Sequence, residues 1–196
     1  MTKGNLMGKV IFDISMSLDG FITGANPRPE AGLGDGGERL HEWIFNNPSP
    51  PSREFVEGYK AFGANIFGRT GYDHSLMYWG ADGPGGPARI PTVIVSHSVP
   101  ENVPDGHVYT FVSGIEAAYQ TAKKLAGDKD VYITGGDVAQ QFLKRGLIDE
   151  VSIHLVPVLF GSGTRLFEPL DEHLSLEPIV TIQTAEAIHL RFRVVK

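Results

Sequence analysis

The chain has 196 residues, with 17 Lys and Arg against 23 Asp and Glu for a formal charge of −6, and no cysteine. Those numbers exclude disulfide scaffolds, iron–sulfur clusters, thiolate zinc sites and cysteine nucleophiles, and they argue against a nucleic-acid binder that works by bulk charge. A hydrophobic content of 41% and an aromatic content of 10% describe an ordinary globular protein, read as one domain over 1–196 with 1–7 as a short polar tail.

Val10 to Ser15 is β-branched and aromatic and predicts a strand, which runs into the turn Ser17-Leu18-Asp19-Gly20. Gly and Pro from Gly24 to Gly37 predict a long flexible loop. Arg39 to Phe45 predicts a short helix with Leu40, Trp43 and Ile44 on one face. Ser52 then stands as N-cap of a second helix, with Phe55, Val56, Tyr59 and Phe62 at helical spacing. Asn65–Gly68 predicts a short buried strand, and Thr70 the cap of a helix reaching Met77.

After a second Gly/Pro loop over 80–89, Pro91–Ser96 and His107–Phe111 predict two more strands. Gly114–Ala126 predicts a helix that turns Ile115, Ala118, Ala122 and Leu125 inward. Asp130–Thr134 predicts a strand meeting Gly135-Gly136, then a helix from about Asp137 to Arg145 with Val138, Phe142 and Leu143 apolar. Asp149–Leu159 predicts a long central strand, whose apolar stretch Val151–Leu159 is expected to help form a homodimer. Leu174–Ala187 and Ile188–Val195 predict a closing pair of strands. Alternating strands and helices that give way to antiparallel strands predict an α/β fold, a mixed sheet with helices on its faces.

No apolar run approaches the ~20 residues a membrane span needs, and Met1–Met7 is too polar for a signal peptide. The cytoplasm is the expected location. The seven His show no metal-ligand spacing, so no metal is expected.

Gly32-Leu-Gly34-Asp-Gly-Gly37 matches the dinucleotide fingerprint letter for letter, but it does not follow a buried strand directly and is read as a loop. Gly135-Gly136 is the better candidate. Paired glycines between a strand and a helix let a ligand approach the backbone, and a helix N-terminus attracts anions; a tight turn with no ligand explains them as well. Arg69 at the end of another strand could make a forked contact with phosphate, or pair with a surface carboxylate. Ser96, His97 and Ser98 follow a third strand, and the serines could instead cap a turn. Three strand ends with phosphate-compatible chemistry suit an open α/β sheet, where ligands sit at the carboxyl ends of strands.

In order and spacing, Gly68-Arg69-Thr70, Ile94-Val-Ser96-His97-Ser98 and Tyr132-Ile-Thr134-Gly135-Gly136-Asp137-Val138-Ala-Gln-Gln-Phe142-Leu143 resemble the dihydrofolate reductase-like superfamily. Ser17-Leu18-Asp19-Gly20 and Ile148–Gly163 look more like one branch, the reductase domain at the C-terminus of bacterial riboflavin-biosynthesis deaminase-reductases and its stand-alone relatives. The resemblance covers nearly the whole chain. It implies a mixed, mainly parallel sheet of about eight strands with helices on both faces, NADPH as cofactor, and a homodimer. It places Gly135 and Gly136 against the pyrophosphate, and Arg69, Thr70, Ser96 and Ser98 at the adenosine-side phosphates. Gly68, His97, Thr134, Asp137 and Val138 complete the expected cofactor site. No acidic residue ends Pro91–Val95 to take a ribose 2′-hydroxyl, so the polar and basic groups there suit a 2′-phosphate.

On the substrate side, Asp19 is the expected catalytic acid or substrate contact, and an Asp-Gly turn accounts for it equally well. Ser17, Asp35, Glu38, Glu42, Trp43, Thr134 and Phe160 are expected to line the pocket. A solvated helix face is the plainer account of the three acidic residues and a core strand end that of Phe160, while an apolar helix face explains Trp43 equally well. The riboflavin reductases typically carry Glu where this chain has Thr134, which points to an altered substrate site. The expected function is an NADPH-dependent reductase that transfers hydride to a small heterocyclic substrate, similar to 5-amino-6-(5-phosphoribosylamino)uracil reductase or dihydrofolate reductase. The alternative is a non-catalytic NADP(H)-binding sensor or sequestering protein of the same fold.

Overall fold

Among the described residues, eight strands form in chain order: β1 (Val10–Ser17), β2 (Ala64–Gly68), β3 (Thr92–Val95), β4 (Tyr109–Val112), β5 (Val131–Ile133), β6 (Glu150–Val156), β7 (Leu176–Gln183) and β8 (Ile188–Val194). The computed structural model describes residues 8–167 and 173–196, so the expected tail 1–7 lies outside the described residues. The strands make one sheet in the order β4-β3-β2-β5-β1-β6-β8-β7. Every pair from β4 across to β6 is parallel, while β8 runs antiparallel to both β6 and β7. Parallel neighbours need crossovers, and helices supply most of them.

The α-helices of the described residues pack on the two faces: α1 (Glu42–Phe45), α2 (Pro50–Gly58), α3 (Arg69–Trp79), α4 (Ile115–Ala126) and α5 (Gly136–Lys144). Alternation along β1 sorts its side chains. Val10, Phe12, Ile14 and Met16 join the main core, with Ala118 and Ala122 of α4 and Val138, Phe142 and Leu143 of α5. The opposite face carries two smaller cores. Leu40 and Trp43 pack with Val156 and Ala187, while Tyr72 of α3 packs with Ile94 and Tyr109.

Several expectations need correction. Leu125 is 43% exposed and Ala126 takes the inward place at the end of α4. Ser49, not Ser52, stands at the N-cap of α2, because Pro50 and Pro51 already adopt helical geometry as the first residues. Thr70 does not cap α3; Gly68 holds that position and no side chain caps the helix.

The Gly24–Gly37 loop is not loose. Ala25 bridges Asp35 and Arg28 bridges Ala31, while Asp35 accepts hydrogen bonds from Asn26 (3.0 Å) and Arg28 (2.7 Å). The apolar stretch expected at a dimer contact is spent inside the sheet, since β6 lies between β1 and β8. Leu159, 69% exposed, is the large apolar side chain left outside, so that argument for a homodimer does not carry over.

Candidate active site at the carboxyl ends of β1, β2, β3 and β5

Ser17 ends β1 fully buried. Its hydroxyl donates to Asp19 Oδ1 at 2.6 Å and accepts from the Phe21 amide at 2.9 Å. Asp19 reaches across to the loop after β6, accepting from the Phe160 amide at 3.2 Å and the Gly161 amide at 2.7 Å. The Ser17 hydroxyl first, and then these amides, hold its carboxyl down at about 2 despite some desolvation. An acid held there is ionised at neutral pH, which favours the substrate-contact role expected of Asp19 over the acid role. Its work is to clamp the β1 turn to the Phe160–Gly161 loop.

The other expected pocket residues divide. Thr134 sits half-buried at the end of β5, with its amide bonded to the Ile66 carbonyl at 3.1 Å. Asp35 is tied into its own hairpin, Glu38 is exposed, and Glu42 pairs with Arg39 at 3.4 Å on the outside of α1. Asp35 and Glu38 stay on the exposed loop, whereas Glu42 lines a shallow pocket with Arg39, Asn46, Val156 and Pro157 at the end of β6.

Trp43 lines no open pocket. It is 1% exposed, donates from Nε1 to Ser15 Oγ at 2.9 Å, and lies with its ring 4.2 Å from that of His154. Phe160 packs against the same cluster. Trp43→Phe should keep most of the packing and orphan the buried Ser15 hydroxyl. We expect a loss of about 1–2 kcal/mol in urea unfolding; unchanged stability would show that the indole hydrogen bond contributes nothing.

At the ends of β2 and β3 the expected cofactor residues meet. Arg69 Nη1 donates to Ser96 Oγ at 3.2 Å, to the Ser98 carbonyl at 3.1 Å and to Ser98 Oγ at 3.5 Å. Ser96 also donates to the Ser98 carbonyl at 2.6 Å and accepts from the Ser98 amide, so the two serines both close a turn and seat the arginine. Nε is taken by Asp73, at 2.8 and 2.9 Å from its two oxygens. Thr70 and His97 are exposed beside the cluster.

Next along the sheet, Gly135 leads from β5 into α5 with φ +89°, a conformation that favours glycine. A Cβ there would lie 3.1 Å from the Phe67 ring, and one on Gly136 would lie 2.8 Å from Ile22, which follows the Asp19 turn. The glycine pair therefore abuts the segment that Asp19 organises. Among the described residues, no side chain caps α5, whose first amides stand at the strand ends. Val138 turns its side chain into the core against Gly68 and offers only backbone. Asp137 is exposed, with its carboxylate engaged by Gln141 at 3.0 Å. An Arg fork, a hydroxyl turn and an uncapped helix start suit a dinucleotide phosphate ligand.

Sequence reasoning missed two features. Asp73 stands four residues after Arg69 on a helix, a spacing that pairs opposite charges. The second is a buried polar row beneath α1 and α2. Asp13 accepts from Tyr59 (2.5 Å) and lies 3.3 Å from His154 Nε2; His154 and His189 meet through Nδ1 at 2.7 Å; His189 Nε2 lies 3.2 Å from Ser52 Oγ. Burial pushes the Asp13 carboxyl up, but the charge of His154 and hydrogen bonds from His154, Tyr59 and Ser152 outweigh it and hold it low. The alternation Asp13, Ser15, Ser17 along β1 was the available signal.

The strand order, with one antiparallel strand entering between β6 and β7, is the dihydrofolate reductase fold. The Enterococcus faecalis dihydrofolate reductase complexed with NADP(H) superposes with a TM-score of 0.61 over 97% of this chain and 99% of its own, at 14% identity. Within that fold, the chain matches the RibD C-terminal domain family over residues 8–190 and belongs to it. A putative riboflavin biosynthesis protein from Shewanella sp. PV-4 is similar at TM-score 0.71 and 26% identity, covering 96% of this chain and 99% of that one. Acinetobacter baumannii RibD matches at TM-score 0.64 and 22% identity over 97% of this chain, which spans 59% of that longer protein. The Bacillus subtilis protein YwjB, uncharacterized, is 28% identical over 185 residues, 94% of this chain and 97% of its own. Among the described residues, no helix is long and apolar enough to cross a membrane.

Proposed function

We propose that this protein is an NADPH-dependent reductase acting on a small heterocyclic substrate at the carboxyl ends of β1 and β5. The observation that carries the reading is the seated Arg69. Ser96 and Ser98 hold one of its nitrogens, and Nη2 makes no hydrogen bond among the described residues. Such a fork suits a ribose 2′-phosphate. Gly135 and Gly136, on the neighbouring β5, give the pyrophosphate a place without side chains at an uncapped helix start. The family supports the reaction class: a Thermotoga maritima relative of the same fold, at 13% identity, is described as a deaminase and 5-amino-6-(5-phosphoribosylamino)uracil reductase.

NADPH, when bound, supplies the hydride. The chain's contribution is alignment. Ser17 and Asp19 fix the turn and the Phe160–Gly161 loop beside the glycine pair, and Thr134 stands at the same strand ends as a neutral hydroxyl. An ionised Asp19 adds a negative charge and an acceptor next to the substrate space rather than a proton.

The test is a calorimetric titration of NADPH and NADH side by side, on the wild type and on Arg69→Ala. The wild type should prefer NADPH. Removing an exposed charge-assisted contact should weaken NADPH by about tenfold and NADH by less than about twofold. Equal losses would remove the 2′-phosphate assignment, and binding of neither would remove the reductase reading.

A further inference from the structure

Arg69 is not a free cation waiting for an anion. Its Nε donates to both carboxylate oxygens of Asp73, four residues on in α3, at 2.8 and 2.9 Å. The guanidinium is 33% exposed and the carboxylate 43%, so both face solvent at the mouth of the cluster. The net charge of the pair is zero. A dianionic 2′-phosphate arriving there meets a carboxylate already on one edge of the guanidinium that Ser96 and Ser98 seat. Exposed helical pairs of this spacing are weak, so the carboxylate can be displaced, but its charge stays tethered a few ångströms away on the same helix.

We propose that Asp73 is a specificity-determining residue: a built-in counter-anion that competes with a 2′-phosphate for Arg69 and sets how strongly the protein discriminates NADPH from NADH. The inference rests on the cofactor reading above. Asp73 touches the ligand only through Arg69, and is in that sense a positioning residue. Its removal shifts the balance toward the phosphorylated cofactor, whereas a residue that merely propped up α3 would affect all adenosine ligands alike.

The probes are adenosine 2′,5′-bisphosphate and adenosine 5′-monophosphate, which share everything but the 2′-phosphate and need no hydride chemistry. They are titrated calorimetrically into the wild type, Asp73→Asn, Arg69→Ala and the double variant. Asp73→Asn keeps the shape and one acceptor oxygen but loses the charge. It should bind the bisphosphate about two- to fivefold more tightly, the scale of the exposed helical ion pair that the phosphate no longer has to displace. The monophosphate should change by less than about twofold, and the gain should largely vanish once Arg69 is alanine, because there is then nothing to compete for. Glutamate at the same position restores the charge and should return discrimination toward the wild-type value. A weaker bisphosphate complex in Asp73→Asn, or equal changes for both probes, overturns the proposal while leaving the cofactor reading in place. A wild type that binds neither NADPH nor the bisphosphate overturns both.

Discussion

Gly135→Ala should cost the protein both stability and NADPH. The residue has φ +89° and ψ 137°, where an L side chain is strained by about 1–3 kcal/mol. Its new methyl would also stand 3.1 and 3.3 Å from the Phe67 ring, a contact that only a shift of the ring relieves. For a chain of this size that strain lowers the melting temperature by roughly 2–12 °C. The larger effect is expected on the cofactor. The turn from β5 into α5 is where the proposed pyrophosphate contacts bare backbone, and moving that turn should weaken NADPH by at least ~30-fold, about 2 kcal/mol. Gly80→Ala is the control. Gly80 also has a positive φ, +52°, but a Cβ there meets nothing within 4 Å and it lies outside the cluster. It should lower stability and leave NADPH untouched. Wild-type NADPH affinity in a folded Gly135→Ala would sink the assignment of the glycine pair to the cofactor.

The cluster proposed for the cofactor was legible because its parts are local. A β-branched strand, a glycine or arginine at its end and a helix after it can each be read within ten residues, and the parallel topology brings the ends together. Arg69, Ser96 and Ser98, 27 and 29 residues apart, meet because β2 and β3 are neighbours in register. The substrate side was not legible in the same way. Asp19 looked like a free acid because its three hydrogen-bond partners include two amides from residues 141 and 142 positions away.

Asp13 and Ser15 alternate with Ile14 and Met16, a pattern that usually marks a solvent face. Here Trp43 and Tyr59 cover that face, and His154 and His189 are opposite one another in the β6–β8 register. Nothing local in the sequence announces such a pairing. Asp35, Glu38 and Glu42 were placed by their position after the long loop; its backbone bridges tie Asp35 into a surface hairpin, and Glu42 lines a pocket beside the end of β6.

Acidification from pH 7.5 to pH 4.5 should destabilise the fold steeply, and the buried histidine pair sets the window. His189 is 1% exposed. Burial, and then repulsion from His154, push its imidazole down to about 4, against opposing attraction from Glu186 and Asp13. His41, beside the same His154, is likewise lowered to about 4 by burial first. The unfolded chain takes up a proton on each near pH 6.5, while the folded protein refuses it until about 4. The unfolded state therefore binds more protons throughout that interval, and stability rises with pH across it. The contribution is complete above about pH 7 and is lost as pH falls from 6.5 toward 4. The His189 share alone is on the order of 2–3 kcal/mol. Asp13, held below its ordinary value, extends the loss below that range as its carboxylate is finally protonated. Urea unfolding at pH 7.5, 6, 5 and 4.5 reads the slope directly. His189→Gln keeps an Nε2-like donor toward Ser52 but cannot titrate, so it should be less stable at pH 7.5 and show a distinctly flatter profile. Equal unfolding free energies for the wild type at pH 7.5 and 4.5 would mean that the pair is solvated and charges freely, and that the polar row beneath α1 and α2 is not the closed network its distances describe.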